Sequence, residues 1–332
     1  MRSITRTIPV DGTGWILIAI LLGLLVVFPM SYTDQYILSL MTTGFILLVL
    51  NSSWNFLLGV GGVWNFGQLA IYAIGGYGAG LLMIHTPLPP LLDIILGGVF
   101  AAAVAIALAF PTLRLYGIYT SLLTFSFAEI VQFAILNDNS GFTGGPFGLP
   151  NVSGLFPTTL SDLWTTRAYY WTALTAAALT VIGFAVIVHS RLGLALQAIR
   201  DAPTYAAARG ISPLKYRVIA FGIGGFVAGV AGGLYVSNNG TIQPTVMGLT
   251  PMSIDVTMLV VGGLGTAFGP VVGTALLMVI DSVLSTYPGV EFTILGVVLL
   301  VIVVFVPGGL VGEITRQQRR LATWLAEGDA DG

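Results

Sequence analysis

Cysteine is absent from this 332-residue chain, which excludes disulfides, thiolate metal sites and cysteine nucleophiles. Charge is nearly as scarce. Only 8% of the residues are Asp, Glu, Lys or Arg, against about 25% in soluble domains, so a soluble globular fold is excluded. The two histidines, His85 and His189, stand at the ends of apolar runs and read as interfacial end residues. Lysine occurs once, at Lys215, and the net charge of −2 leaves no basic surface for nucleic acid. There is no phosphate loop of the Gly-x-x-x-x-Gly-Lys type, no nucleophile motif and no metal-spaced His cluster. Neither an enzyme nor a cofactor-binding chain is expected.

What the chain has is apolar sequence: 56% hydrophobic residues and a mean hydropathy of +0.94. Its runs approach the roughly 20 residues needed to cross a bilayer. The expected fold is an all-α, polytopic transmembrane helical bundle. Ten spans are expected, near 15–30, 36–54, 69–84, 91–113, 116–135, 168–188, 218–235, 251–264, 271–285 and 290–306. An eight-span version without the short eighth and ninth keeps the same parity. Arg2 and Arg6 precede the first run as in a signal peptide. The run closes with Phe28-Pro29-Met30-Ser31-Tyr32 and no small-residue cleavage pattern, so it is kept as a span. The chain then divides into a cytoplasmic segment 1–14, a membrane domain 15–311 and a charged cytoplasmic tail 312–332.

Charge placement orients these spans. With both termini cytoplasmic, eleven of the twelve basic residues face inward and Arg167 alone lies outside. That is the positive-inside pattern. The polar stretch 137–167, rich in Gly, Pro, Asn and Ser, becomes an external loop of turns.

The most polar interruption, 189–217, holds five of the twelve basic residues: Arg191, Arg200, Arg209, Lys215 and Arg217. It reads as a small helix with Asp201 as N-cap, Pro203 in the first turn and Gly210 as its left-handed stop. Ser212-Pro213 begins the next helix in the same manner. A second interruption, 59–68, carries Gly61, Gly62, Asn65, Gly67 and Gln68. It fits a broken helix exposing backbone to a polar solute, and a plain inner loop of tight turns fits the same residues. Gly262-Gly263…Phe268-Gly269 echoes Gly61-Gly62…Phe66-Gly67. Among ionisable residues within spans, Glu129 suits either a solute path or a helix end. Asp255 and Asp281 read as interfacial. A charge at mid-bilayer costs about 2.5–3.5 kcal/mol on insertion scales, and no basic residue inside the spans pairs with them. That argues against an ion-driven carrier.

Three segments together resemble the inner-membrane permeases of branched-chain amino-acid ABC importers. They are GVWNFGQLAIYAIGGYGAGLL at 62–82, RLYGIYTSLLTFSFAEI at 114–130, and SRLGLALQAIRDAPTYAAARGI at 190–211 combined with VVGGLGTAFGPVVGTAL at 260–276. The likeness covers about residues 40–310 and is strongest to the longer of that family's two permease paralogues. Permeases for urea and short-chain amides share the motifs, so the solute stays open between these classes.

The resemblance implies a cell-membrane subunit that pairs with a second, homologous permease. It further implies two cytoplasmic ATPase subunits and an extracytoplasmic solute-binding protein as partners. Arg191, Gly193, Ala198, Arg200, Asp201, Ala206 and Gly210 would form the segment that couples to the ATPase. Gly61, Gly62, Asn65, Gln68 and Glu129 are the candidates for the solute path. The chain departs from the family at Gly193-Leu194-Ala195, where Gly-Arg-Ala is usual. A stand-alone carrier or channel is the competing class, and a membrane-embedded enzyme a third.

Overall fold

Proline and glycine punctuate the apolar runs, and the helices begin and end at them. The computed structural model describes residues 12–115, 117–157, 161–284, 294, 296, 297, 300 and 308–313. Eleven α-helices are formed there: α1 Gly12–Ser31, α2 Gln35–Asn55, α3 Gln68–His85, α4 Pro90–Thr112, α5 Ile118–Leu136, α6 Asp162–His189, α7 Arg191–Asp201, α8 Pro203–Ala208, α9 Pro213–Asn239, α10 Leu249–Gly262 and α11 Gly269–Leu284. Among the described residues there is no strand, only one antiparallel bridge between Leu149 and Ile242. The all-α bundle expected from the sequence is what forms. Most of the expected tenth span, whose described residues 294, 296, 297 and 300 are helical, lies outside the described residues, as do the N-terminal segment 1–11 and the tail from 314 onward.

Length and apolarity suffice for membrane crossing in Gln35–Val60, Pro90–Thr112, Ile118–Leu136, Asp162–His189 and Pro213–Asn239. At 1.5 Å per residue the 27 residues of α9 extend roughly 40 Å. The helices at the expected eighth and ninth spans, α10 and α11, are shorter, with 14 and 16 residues. They form a hairpin so close that a Cβ at Gly262 would strike the Gly269 carbonyl, and one at Gly273 the Met258 carbonyl.

The core is a sandwich of α3, α4 and α9. No hydrophobic force draws helices together in lipid, so close backbone approach has to hold them. Here it does: a Cβ at Gly75 would run into the Gly229 backbone of α9, and one at Gly232 into the Tyr72 carbonyl of α3. α2 is buried over its last five residues, Asn51 to Asn55, beside α6, α9 and α11. Outside this core, α1 is tied to α6 by the Tyr170 hydroxyl, which donates to Leu25 O at 2.9 Å, and by Trp171 Nε1, which donates to Val26 O at 3.0 Å. The exposed positions of α4 between Leu91 and Phe110, including Ile95, Leu96, Val99 and Phe100, carry no polar side chain. Such a face suits lipid.

At the end of the bundle remote from α7 and α8, the 137–157 loop packs on the segment after α9. Leu149 N donates to Ile242 O at 2.9 Å, and Leu149 O accepts the return bond from Ile242 N at 3.2 Å. Within the loop, the Asp138 carboxylate accepts from the Thr143 hydroxyl at 2.7 Å and from the Ser140 N–H at 2.9 Å.

Candidate functional site: a helix break joined to the coupling segment

α2 does not stop at Asn55. Its backbone widens into a π-helical turn, Phe56–Val60, which Gly61 ends with its N–H on Phe56 O at 3.0 Å. Gly62 then takes a φ of +66°, a conformation glycine adopts without steric cost. Val63 to Gly67 carry no regular helix before α3 begins at Gln68. Trp64 apart, the residues of the break are buried or half-buried in protein. Asn65 Oδ1 accepts Gly67 N at 3.0 Å, and Asn65 Nδ2 donates to Gln68 Oε1 at 2.9 Å. Gln68 Nε2 donates to Ser53 Oγ at 2.9 Å and to Gly224 O of α9 at 3.2 Å. Thr124 of α5 accepts the Phe66 N–H at 3.0 Å. In this conformation both amides fasten the turn, and both side chains are fully buried.

Two other parts of the chain converge on this break. From one side comes the α10–α11 turn. Asn55 Nδ2 donates to Thr266 O at 2.9 Å, and its Oδ1 accepts Gly265 N at 2.8 Å. A Cβ at Gly59 would strike the Gly265 backbone, and one at Gly309 the Gly263 backbone. The two Gly-Gly…Phe-Gly strings that echo one another in sequence thus belong to two helix breaks in direct contact.

From the other side comes the segment 190–211, the one expected to couple to an ATPase. Arg200 Nη1 donates to the Gly59 carbonyl, and the aliphatic part of Arg200 covers Gly62 so closely that a Cβ there would collide with it. Gly59 lies in the last turn before the helix ends at Gly61, where carbonyls lack an intrahelical donor. Arg200 Nε also pairs with Asp201 at 2.9 Å. Beside this contact lies a cavity of about 170 Å³ lined by residues including Trp64, Thr120, Arg200, Pro203 and Arg217.

The coupling segment itself is two helices, not one. Ser190 caps α7, its hydroxyl accepting Leu192 N at 3.2 Å. α7 runs through Asp201, so Asp201 closes the first helix and does not cap the second. Ala202 occupies that cap position, with no side-chain hydrogen bond. Gly193, Ala195, Leu196 and Ile199 turn α7 inward, and a Cβ at Gly193 would meet the Val188 carbonyl. Ala198 is half-buried, while Ala206 is the one buried residue of α8. Arg191, Asp201, Arg209 and Gly210 are exposed. Gly210 ends α8 with a φ of +81°, as its sequence position suggested, and Ser212 caps α9 through the Lys215 N–H.

Two acidic residues sit differently from one another. Glu129 is exposed on α5, apart from the break, and no described residue bonds to it. Asp255, expected near the interface, is buried among α2, α10 and α11. Asn51 Nδ2 lies 3.4 Å from Asp255 Oδ1 and 3.1 Å from Thr274 Oγ1. Sequence reading missed this cluster because α10 begins at Leu249 and has only 14 residues, which puts Asp255 at its middle and not at its start. The one available signal was Asn51, a second polar residue at the same depth in α2.

The comparisons with known proteins agree with this architecture. Residues 36–307, which run from the second residue of α2 through α11, match the family described as branched-chain amino acid transport system / permease component. The chain is 29% identical over 310 residues to the high-affinity branched-chain amino acid transport system permease protein LivM of Salmonella typhimurium, across 87% of this chain and 72% of that one. The Escherichia coli LivM protein aligns with the same identity and coverage. The corresponding LivH permease of Salmonella typhimurium is 31% identical over 157 residues, 46% of this chain and 49% of its own. No solved structure matches. With the helix core, both breaks and the coupling segment all inside the matched region, the chain belongs to the branched-chain amino acid transport permease family.

Proposed function

We propose that this chain is one of two membrane-spanning permeases of an ATP-driven importer for branched-chain or closely related amino acids. In this reading it sits in the cell membrane with residues 189–217 on the cytoplasmic side and the 137–167 loop outside. A second, homologous permease completes the path, and the partial likeness to LivH supports such a paralogue. Two ATPase subunits and an extracytoplasmic solute-binding protein complete the assembly.

The observation that carries the proposal is the contact of Arg200 with Gly59 and Gly62. A chain without a nucleotide motif needs its energy delivered from outside, and among the described residues α7–α8 is an exposed basic segment. Tyr205, 78% exposed, and Leu194, 59% exposed, give that segment apolar anchors for a partner groove. Force on α7 reaches the broken helix through Arg200, and reaches the α10–α11 turn through Asn55. ATP-driven closure of the partners then rocks the helices about the solute path.

Affinity purification of the tagged chain from its native membrane tests the assignment. It should recover a second permease and an ATPase, and the reconstituted complex should take up leucine, not urea, in an ATP-dependent manner. A chain that transports alone, with no ATPase bound, would refute it.

A further inference from the structure

Among the described residues of the long helices, Glu129 of α5 is the one exposed carboxylate that stands away from a helix end. Ile118, Tyr119, Leu122, Ile130 and Phe133 are more than half exposed. Among them, one turn apart, stand Ser126 and Glu129. Glu129 lies roughly 16 Å along the helix from Ile118 and 10 Å from Leu136, at 1.5 Å per residue. Snorkelling to an interface is therefore out of reach for a side chain that short. No described residue gives it a cation or a hydrogen bond. A carboxylate at such a depth faces protein or water, not lipid. The exposed face of α4 over the same length, with no polar side chain, shows what a lipid-facing surface of this chain looks like.

We propose that the Ser126–Glu129 face of α5 lines the water-filled solute path, closed on its far side by the second permease, and that Glu129 receives the ammonium group of a zwitterionic amino acid there. This rests on the importer reading above and adds to it a wall of the path and a charge that selects for the solute's amine. The charge complementarity is specific: a branched-chain amino acid brings one cationic group, and α5 offers one carboxylate. Thr124 of the same helix is bonded to the break at Phe66, so movement of the break reaches the α5 face two turns or less away. Uncharged solutes such as urea gain nothing from this residue.

The chain's lack of cysteine permits a direct test in the complete reconstituted importer. Single cysteines at Glu129→Cys and Ser126→Cys are exposed to a cationic, membrane-impermeant methanethiosulfonate reagent, with Phe100→Cys on α4 and Leu179→Cys on α6 as lipid-facing controls. The expected result is modification at 126 and 129 at least tenfold faster than at 100 and 179. In parallel, Glu129→Gln should lower leucine uptake about tenfold, with Glu129→Asp restoring most of it and ATPase recovery unchanged in both. Equal, slow modification at all four positions would overturn the proposal, as would fast modification with undiminished uptake by Glu129→Gln. Either failure leaves the importer reading intact if the unsubstituted complex still binds its ATPase and takes up leucine. Loss of that binding would refute the importer reading on its own.

Discussion

The Arg200 guanidinium donates to the Gly59 main-chain carbonyl across 141 residues of sequence, joining the coupling segment to the helix break. Among the basic residues of 189–217, Arg200 is the one that makes this bond to the break. Lysine at that position has the charge without the planar fork that here serves Gly59 and Asp201 together.

Gly62 is the other half of the contact. Its φ of +66° and the Arg200 side chain over it leave no room for a Cβ. Gly62→Ala is predicted to displace Arg200 and lower ATP-dependent uptake at least tenfold while membrane insertion persists. Uptake by proteoliposomes, normalised to protein inserted, checks this. Unchanged uptake would mean that the contact is not used.

Asn55 holds the α10–α11 turn with one donor and one acceptor. Asn55→Ala leaves Gly265 N and Thr266 O without those partners, at about 1–3 kcal/mol for each group left unsatisfied. A thermal melt of the detergent-solubilised chain should show the loss. Asn55→Asp should rescue only in part, because a carboxylate can accept from Gly265 N but cannot donate to Thr266 O.

Gly75 sets the spacing between α3 and α9. Gly75→Ala should separate the two helices, since the added carbon meets backbone and not a flexible side chain. Gly78 on the same helix has only ordinary contacts, the nearest at 3.6 Å. Gly78→Ala should therefore be well tolerated. Comparing folded yield and melting temperature of the two variants checks the contrast, and equal losses would refute it.

Asp138 organises the loop at the opposite end of the bundle. Hydrogen bonds from the Ser140 and Thr143 side chains, joined by their backbone N–H groups, hold its carboxyl well below the usual carboxylate range. A depressed acid contributes fully above its unfolded value, about 3.9, and loses that contribution only as pH falls through the lower folded value. Amide protection in 138–145, corrected for intrinsic exchange, should therefore hold from pH 7 down to about pH 4 and drop in Asp138→Asn. Protection lost already near pH 5 would contradict the assignment.

Much of the fold was legible because lipid imposes a simple grammar. Apolar runs bounded by Pro, Gly and Asn became helices within a few residues of their expected ends: the run at 69–84 is α3, Gln68–His85, and that at 91–113 is α4, Pro90–Thr112. Gly210 and Ser212-Pro213 acted as stop and start, since their effects are local. What could not be read was contact between distant segments. Nothing in Gly59 announces a π-turn, and nothing local ties it to Arg200 or Gly265. The boundary at Asp201 was misjudged because a good capping residue also serves as a helix's last residue when its neighbour is an arginine. Asp255 was misplaced because it stands at the middle of the 14-residue α10, which stacks against α2 and α11, and not at its start.

If force on residues 190–211 reaches the broken helix, Arg200 is the contact that carries it. The most direct measurement is the ratio of leucine taken up to ATP hydrolysed by the reconstituted complex, with Arg200→Ala compared against the unsubstituted chain. The ATPase should still bind and hydrolyse ATP while this ratio falls at least tenfold. An unchanged ratio would contradict that role for Arg200.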